Sequence, residues 1–248
     1  MIEMVKAMFE ISLYGDRGIR IQLGTTISKK TNERIRNFSA LLEKESISGI
    51  IEWIPAYTAL SIYYDPLLIP YDSLKNRMES LYEKLSLVAL PPPIITEIPV
   101  YYGEEYGPDL GFVAEHNGLT TDEVIDIHTS SNYLIYMMGF SPGFPYLGGM
   151  SKKIATPRLI SPRANVPAGA VGIAGAQTGI YSMESPGGWQ IIGRTPLKLY
   201  HPLRHQPILL RSGDYIRFSS ITKTEFEEIE IAVSRGTYQP NVIQHEGE

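Results

Sequence analysis

The chain has 248 residues, 43% of them hydrophobic and 20% charged, and its 22 basic and 27 acidic residues give a formal net charge of −5. That composition supports a packed core with disorder expected only at the ends, and the mild acidity argues against nucleic acid as a general partner. The absence of cysteine excludes disulfides, thiolate metal sites and a cysteine nucleophile. Acids interrupt the apolar residues of the N-terminus and no stretch approaches the roughly 18 apolar residues of a membrane span, so no membrane partner and a cytoplasmic location are expected.

In chain order, residues 8–14 and 18–23 read as a strand pair around the turn Gly15-Asp16-Arg17. Residues 31–46 place Ile35, Phe38, Leu41 and Leu42 on one helical stripe. Two strands, 50–54 and 58–64, flank Pro55. A second helix over 71–87 aligns Leu74, Met78, Leu81 and Leu85, with Asp72 or Ser73 as its expected cap. The order ββαββα predicts a small α+β sandwich with both helices on one sheet face.

Pro91-Pro92-Pro93 cannot continue a helix, which puts the domain boundary there: residues 1–90, then 94–248. Beyond it a strand over 97–102 precedes two short helices, 108–116 and 120–129, the second opened by the capping box Thr120-Thr-Asp-Glu123. From 133 to 218 the short β-branched runs and Gly/Pro turns predict a closed, antiparallel, mainly β barrel.

The unusual segment begins at Met138-Gly-Phe-Ser-Pro-Gly-Phe-Pro-Tyr-Leu-Gly-Gly149. Ten of the 22 glycines fall between Gly139 and Trp189, a density that lets backbone approach a ligand or neighbour closely. Between Tyr133 and Tyr200 six cations (Lys152, Lys153, Arg158, Arg163, Arg194, Lys198) face one carboxylate, Glu184. A local potential of that sign points to an anionic ligand, against the plainer reading of barrel turns with solvated Lys and Arg.

Gly139-Phe-Ser141-Pro-Gly143 fits a nucleophile elbow, but the residue after its serine must donate a backbone N–H and Pro142 has none, so the hydrolase reading fails. The two helices around Gly118 imitate a helix-turn-helix; Asp122, Glu123 and Asp126 on the second make DNA binding improbable and packing on the barrel the better reading. Pro202 separates His201 from His205, which makes them surface histidines rather than a metal pair. His128, at a helix C-terminus where the dipole favours its protonated form, is a candidate acid/base. No phosphate loop is present.

Taken together, Tyr14-Gly-Asp-Arg17, Ile54-Pro-Ala-Tyr-Thr58, Tyr106-Gly-Pro-Asp-Leu110, the glycine-rich run from Gly139 to Gly149, Ala155-Thr-Pro-Arg158, Pro162-Arg163, Val166-Pro-Ala-Gly-Ala-Val-Gly-Ile-Ala-Gly175, Gln177-Thr-Gly-Ile-Tyr181, Glu184-Ser-Pro-Gly-Gly-Trp189 and Ile192-Gly-Arg-Thr-Pro196 resemble the bacterial family of the 5-oxoprolinase B subunit, KipI and allophanate hydrolase subunit 1. The resemblance covers nearly the whole chain. It implies an α+β N-terminal domain followed by a mainly β, cyclophilin-like barrel. It also implies work beside a homologous C and a separate A subunit in the ATP-dependent opening of 5-oxoproline to L-glutamate, with ATP and Mg2+ in a site shared with a partner and little activity alone. A KipI-like role, inhibiting a sporulation histidine kinase, is the alternative.

On that reading Arg158, Arg163 and Arg194 are expected to hold phosphate or the substrate carboxylate, because the guanidinium fork matches both. Ser141 and Gln177 would orient the lactam. Glu184 would act as base or hold a metal, or merely neutralise an arginine. Tyr146 and Trp189 would wall the pocket, or serve as barrel core.

Overall fold

The computed structural model describes residues 9–88 and 90–245. The chain divides into two compact units, Met1–Pro91 and Pro92–Glu248.

The first unit is a four-stranded antiparallel sheet, β1 (Glu10–Leu13), β2 (Gly18–Gln22), β3 (Ile50–Pro55) and β4 (Ala59–Tyr64), in the order β1-β2-β4-β3. Met8, where the first strand was expected to begin, lies outside the described residues. Two helices complete it, α1 (Lys29–Glu45) and α2 (Tyr71–Glu83). Ser28 caps α1, its hydroxyl accepting the Thr31 N–H at 3.2 Å, and Ser46 ends the helix in the left-handed region. The inward residues Ile19 and Ile21 of β2 and Leu60 and Ile62 of β4 form one core with the predicted stripes Ile35, Phe38, Leu41, Leu42 and Leu74, Met78, Leu81, Leu85. The expected cap of α2 is corrected: Pro70 is its N-cap and makes no side-chain bond. Pro70 follows a turn with its own backbone extended, and Asp72 instead meets the positive helix end from within the first turn.

In the second unit β5 (Ile94–Tyr102) leads into α3 (Leu110–Asn117) and α4 (Thr121–Thr129), then β6 (Asn132–Met138), β7 (Pro145–Gly148), β8 (Arg163–Val166), β9 (Ala170–Ala174), β10 (Gln177–Ile180), β11 (Ser185–Gly187), β12 (Gln190–Arg194), β13 (Tyr215–Ser220), α5 (Lys223–Ser234) and β14 (Val242–Gln244). The main sheet runs β10-β9-β12-β5-β13-β6-β7, with β14 added to β5. Its outermost strands β10 and β7 lie side by side, so the sheet is nearly closed. One pairing departs from the antiparallel expectation. β13 lies parallel to β5 from Tyr215↔Ile95 to Ser220↔Val100, which is possible because the elements between them supply the long crossover a parallel pair requires.

The capping box of α4 forms as expected, Thr120 Oγ1 accepting from Glu123 N and the Glu123 carboxylate accepting from Thr120 N. Leu110, Val113 and Ala114 of α3 and Val124 of α4 join the barrel core with Ile98, Ile173, Ile192 and Phe218. The helix pair therefore packs on the sheet. α5 and β14 lie beyond the residues for which elements were expected. Among the described residues no helix is long and apolar enough to cross a membrane.

Candidate functional site

The glycine-rich run folds as the β6–β7 connection, residues 139–144, followed by β7 itself. Ser141 N–H donates to Gly139 C=O at 2.8 Å around Phe140 at φ 65°, a three-residue turn of the rare, strained hand. The turn leaves the Phe140 ring 73% exposed. Ser141 Oγ lies 3.1 Å from Ser182 Oγ, which joins this loop to the one that follows β10.

Beneath it lies an aromatic cluster. The Phe144 ring is 5.3 Å from Tyr146, 6.2 Å from Tyr181, 6.0 Å from Trp189 and 5.6 Å from Phe140, all edge to face. Trp189 lies on Gly179, where a Cβ would come within 2.9 Å of the indole. The exposed Arg158 guanidinium sits 6.0 Å over the same indole, a cation–π arrangement that holds the charge without using its hydrogen-bond donors. Burial raises the Tyr181 hydroxyl pKa, against the lowering pull of a backbone hydrogen bond from Trp189 and of the Arg158 and Arg163 charges. The cluster thus offers the partly exposed faces of Tyr146 and Trp189, the Ser141 hydroxyl and a guanidinium, a set suited to a small, flat, anionic molecule.

The structure therefore brings Ser141, Arg158, Tyr146 and Trp189 together, and both aromatics are partly exposed members of the cluster. Arg163 is nearby but engaged: Nη2 donates to Asp109 Oδ1 at 2.7 Å and Nη1 to the Trp189 carbonyl at 3.3 Å. Arg194 is turned elsewhere, Nε donating to the Ala168 carbonyl at 3.1 Å and the guanidinium 5.6 Å over Tyr106, which stacks on Phe226. Gln177 is exposed at the start of β10, about 13 Å along the strand from Tyr181. Glu184 is exposed, and among the described residues it forms no ion pair, so it does not neutralise an arginine.

His128 is corrected in one respect. It is fully buried, its Nδ1 2.8 Å from the Tyr102 hydroxyl and its Nε2 2.8 Å from Thr178 Oγ1, with Phe218 stacked at 4.3 Å. A helix C-terminus gives an imidazolium at most about 2 kcal/mol, and burial overrides it, lowering the pKa from 6.5 to about 3. The ring is neutral, against the expectation of a dipole-stabilised cation.

Asp109 escaped the sequence reading. It precedes Arg163 by 54 positions, outside the window in which charges were counted, and the one hint was its place in the Tyr106-Gly-Pro-Asp-Leu110 motif. Among the described residues no group of three or more His, Asp or Glu is placed to hold a metal ion, and two of the three candidate arginines spend donors on protein groups. These residues do not by themselves make a nucleotide–magnesium site.

Residues 9–210 match the carboxyltransferase domain, subdomain C and D. The chain is 45% identical over 231 residues to the 5-oxoprolinase B subunit of Bacillus subtilis (strain 168), covering 88% of this chain and 95% of that one. It is 39% identical over 207 residues to the 5-oxoprolinase B subunit of Escherichia coli O157:H7, covering 83% and 93%. The crystal structure of K. lactis urea amidolyase matches with a TM-score of 0.75 at 21% identity, over 96% of this chain and 16% of that one, a likeness of fold alone. With the match extending almost end to end, the chain belongs to the family of 5-oxoprolinase B subunits.

Proposed function

We propose that this chain is the B subunit of a cytoplasmic complex that opens 5-oxoproline to L-glutamate in an ATP-dependent reaction, beside a homologous C and a separate A subunit. The observation that carries the reading is the 45% identity to a 5-oxoprolinase B subunit over 95% of that protein's length. The geometry supports it. A five-membered lactam bearing a carboxylate needs a flat apolar wall, a cation and hydrogen-bonding groups for its amide. Trp189 and Tyr146, braced from beneath by the buried Phe144, supply the wall, Arg158 the cation and Ser141 the hydroxyl.

Glu184, two residues beyond Ser182, is the candidate base. Arg163 and Arg194 are assigned to holding the scaffold, and His128 to the core. ATP, with Mg2+, would bind where this surface meets a partner that completes the site. Arg158→Ala in the assembled complex tests the assignment through ADP release at varied 5-oxoproline. Loss of a charge-assisted contact commonly costs about 1.5–3 kcal/mol, so KM should rise roughly ten- to a hundred-fold. An unchanged KM removes Arg158 from the site.

A further inference from the structure

The platform under Arg158 is built on pliable backbone. Trp189 follows Gly187-Gly188, two residues with little intrinsic conformational preference, so its place has to be fixed from outside. Besides the Tyr181 hydroxyl, which accepts the Trp189 N–H, three contacts tie this stretch down. Leu159 N–H donates to the Gly188 carbonyl at 2.7 Å, Arg163 Nη1 donates to the Trp189 carbonyl at 3.3 Å, and Ile191 N–H donates to Asp109 Oδ2 at 2.6 Å.

Two of the three depend on Asp109. Its Oδ1 accepts the Arg163 Nη2 bond at 2.7 Å, orienting the guanidinium whose other arm holds Trp189. Its own N–H donates to the Ile191 carbonyl at 2.9 Å, so Asp109 and Ile191 are tied through backbone as well. Asp109 stands at the N-cap of α3, where aspartate is among the most favoured residues because its side chain can satisfy the helix's first N–H groups. Here it makes no such bond, and both oxygens are committed to Arg163 and Ile191.

We propose that Asp109 is a positioning residue: through Arg163 and the Ile191 N–H it sets the place of Trp189, and through Trp189 that of Arg158. The inference deepens the proposed function, on whose reading Trp189 and Arg158 hold the substrate.

The chain has two tryptophans, so Trp53→Phe leaves Trp189 as the sole reporter in the full-length protein, read by emission and acrylamide quenching. Asp109→Asn keeps the side-chain volume and one acceptor while removing the charge that holds Arg163. Trp189 quenching is expected to rise at least about two-fold with a red-shifted emission. Arg163→Gln should do the same, and the double variant no more than the larger single change, because residues acting through one link are not additive. In a Trp189→Phe background Asp109→Asn should leave Trp53 quenching unchanged. Should Asp109→Asn fail to fold, Arg163→Gln carries the measurement alone. Unchanged Trp189 quenching in a folded variant, even one with a lowered melting temperature, or an equal change at Trp53, overturns the proposal. In the assembled complex Asp109→Asn should raise KM for 5-oxoproline about ten-fold with kcat within a few-fold. A displaced Trp189 with an unmoved KM would leave Asp109 in its role and sink the substrate reading instead.

Discussion

His128 makes the stability of this chain depend on pH in a calculable way. Thr178 Oγ1 donates its one proton to the Gly172 carbonyl at 3.0 Å, so the Nε2 contact requires a proton on Nε2, which leaves Nδ1 to accept from Tyr102. The folded site thus fits a neutral ring, with a pKa lowered by burial from 6.5 to about 3. Between those values the unfolded chain binds a proton that the folded chain refuses. The contribution is therefore fully present above pH 6.5 and declines as pH falls toward 3. At pH 5 the folded ring is still neutral, so the loss is set by the unfolded pKa alone, about 1.5 pH units or roughly 2 kcal/mol. For a domain of this size that is about 4–8 °C in melting temperature. Carboxylates also titrate, so the readout is the difference between wild type and His128→Gln, which cannot take up the proton. Urea unfolding at pH 7, 6 and 5 should show wild type losing about 2 kcal/mol more than the variant. Parallel profiles would show that the fold does not hold His128 neutral in this range.

Gly179→Ala places a methyl 2.9 Å from the Trp189 indole, and the ring has to tilt; a stability loss of about 1–3 kcal/mol and a raised KM for 5-oxoproline are expected, and wild-type values of both would show that the indole is not seated there. Glu184→Gln should leave the melting temperature unchanged, since the side chain is exposed and among the described residues carries no ion pair, while turnover of the complex falls about 10²- to 10⁴-fold as expected for loss of a general base. Turnover within a few-fold of wild type would remove Glu184 from the chemistry.

What sequence could reveal followed the range of the forces involved. The stripes Ile35/Phe38/Leu41/Leu42 and Leu74/Met78/Leu81/Leu85 were legible because helical burial repeats every 3.6 residues, and the Thr120…Glu123 box because its partners are three residues apart. The cap at Pro70 was not, since Asp72 carries the stronger local signal and the chain path decides the start. Site aromatics and basic residues stood out by composition, but composition cannot tell a free guanidinium from a spent one. Arg158 and Arg163 look alike in sequence; among the described residues one stacks on Trp189 and makes no hydrogen bond, while the other is taken by Asp109. His128 deceived for the same reason, because its helix position is local and its burial beneath Phe218 is not. The parallel β5–β13 pair leaves no periodic trace, and it sets the long β5 at the centre of the sheet.

On the proposed function, this chain supplies one part of an ATP-dependent 5-oxoproline-opening site and its partners in the complex supply the rest. The most direct measurement is ADP release driven by 5-oxoproline, with the purified chain alone and after mixing with the purified A and C subunits. Background rates are expected from the chain by itself, and saturable, 5-oxoproline-dependent ADP release with glutamate formation once all three are present. Full turnover by the isolated chain, or none by the complete set of folded partners, would contradict that division of the site.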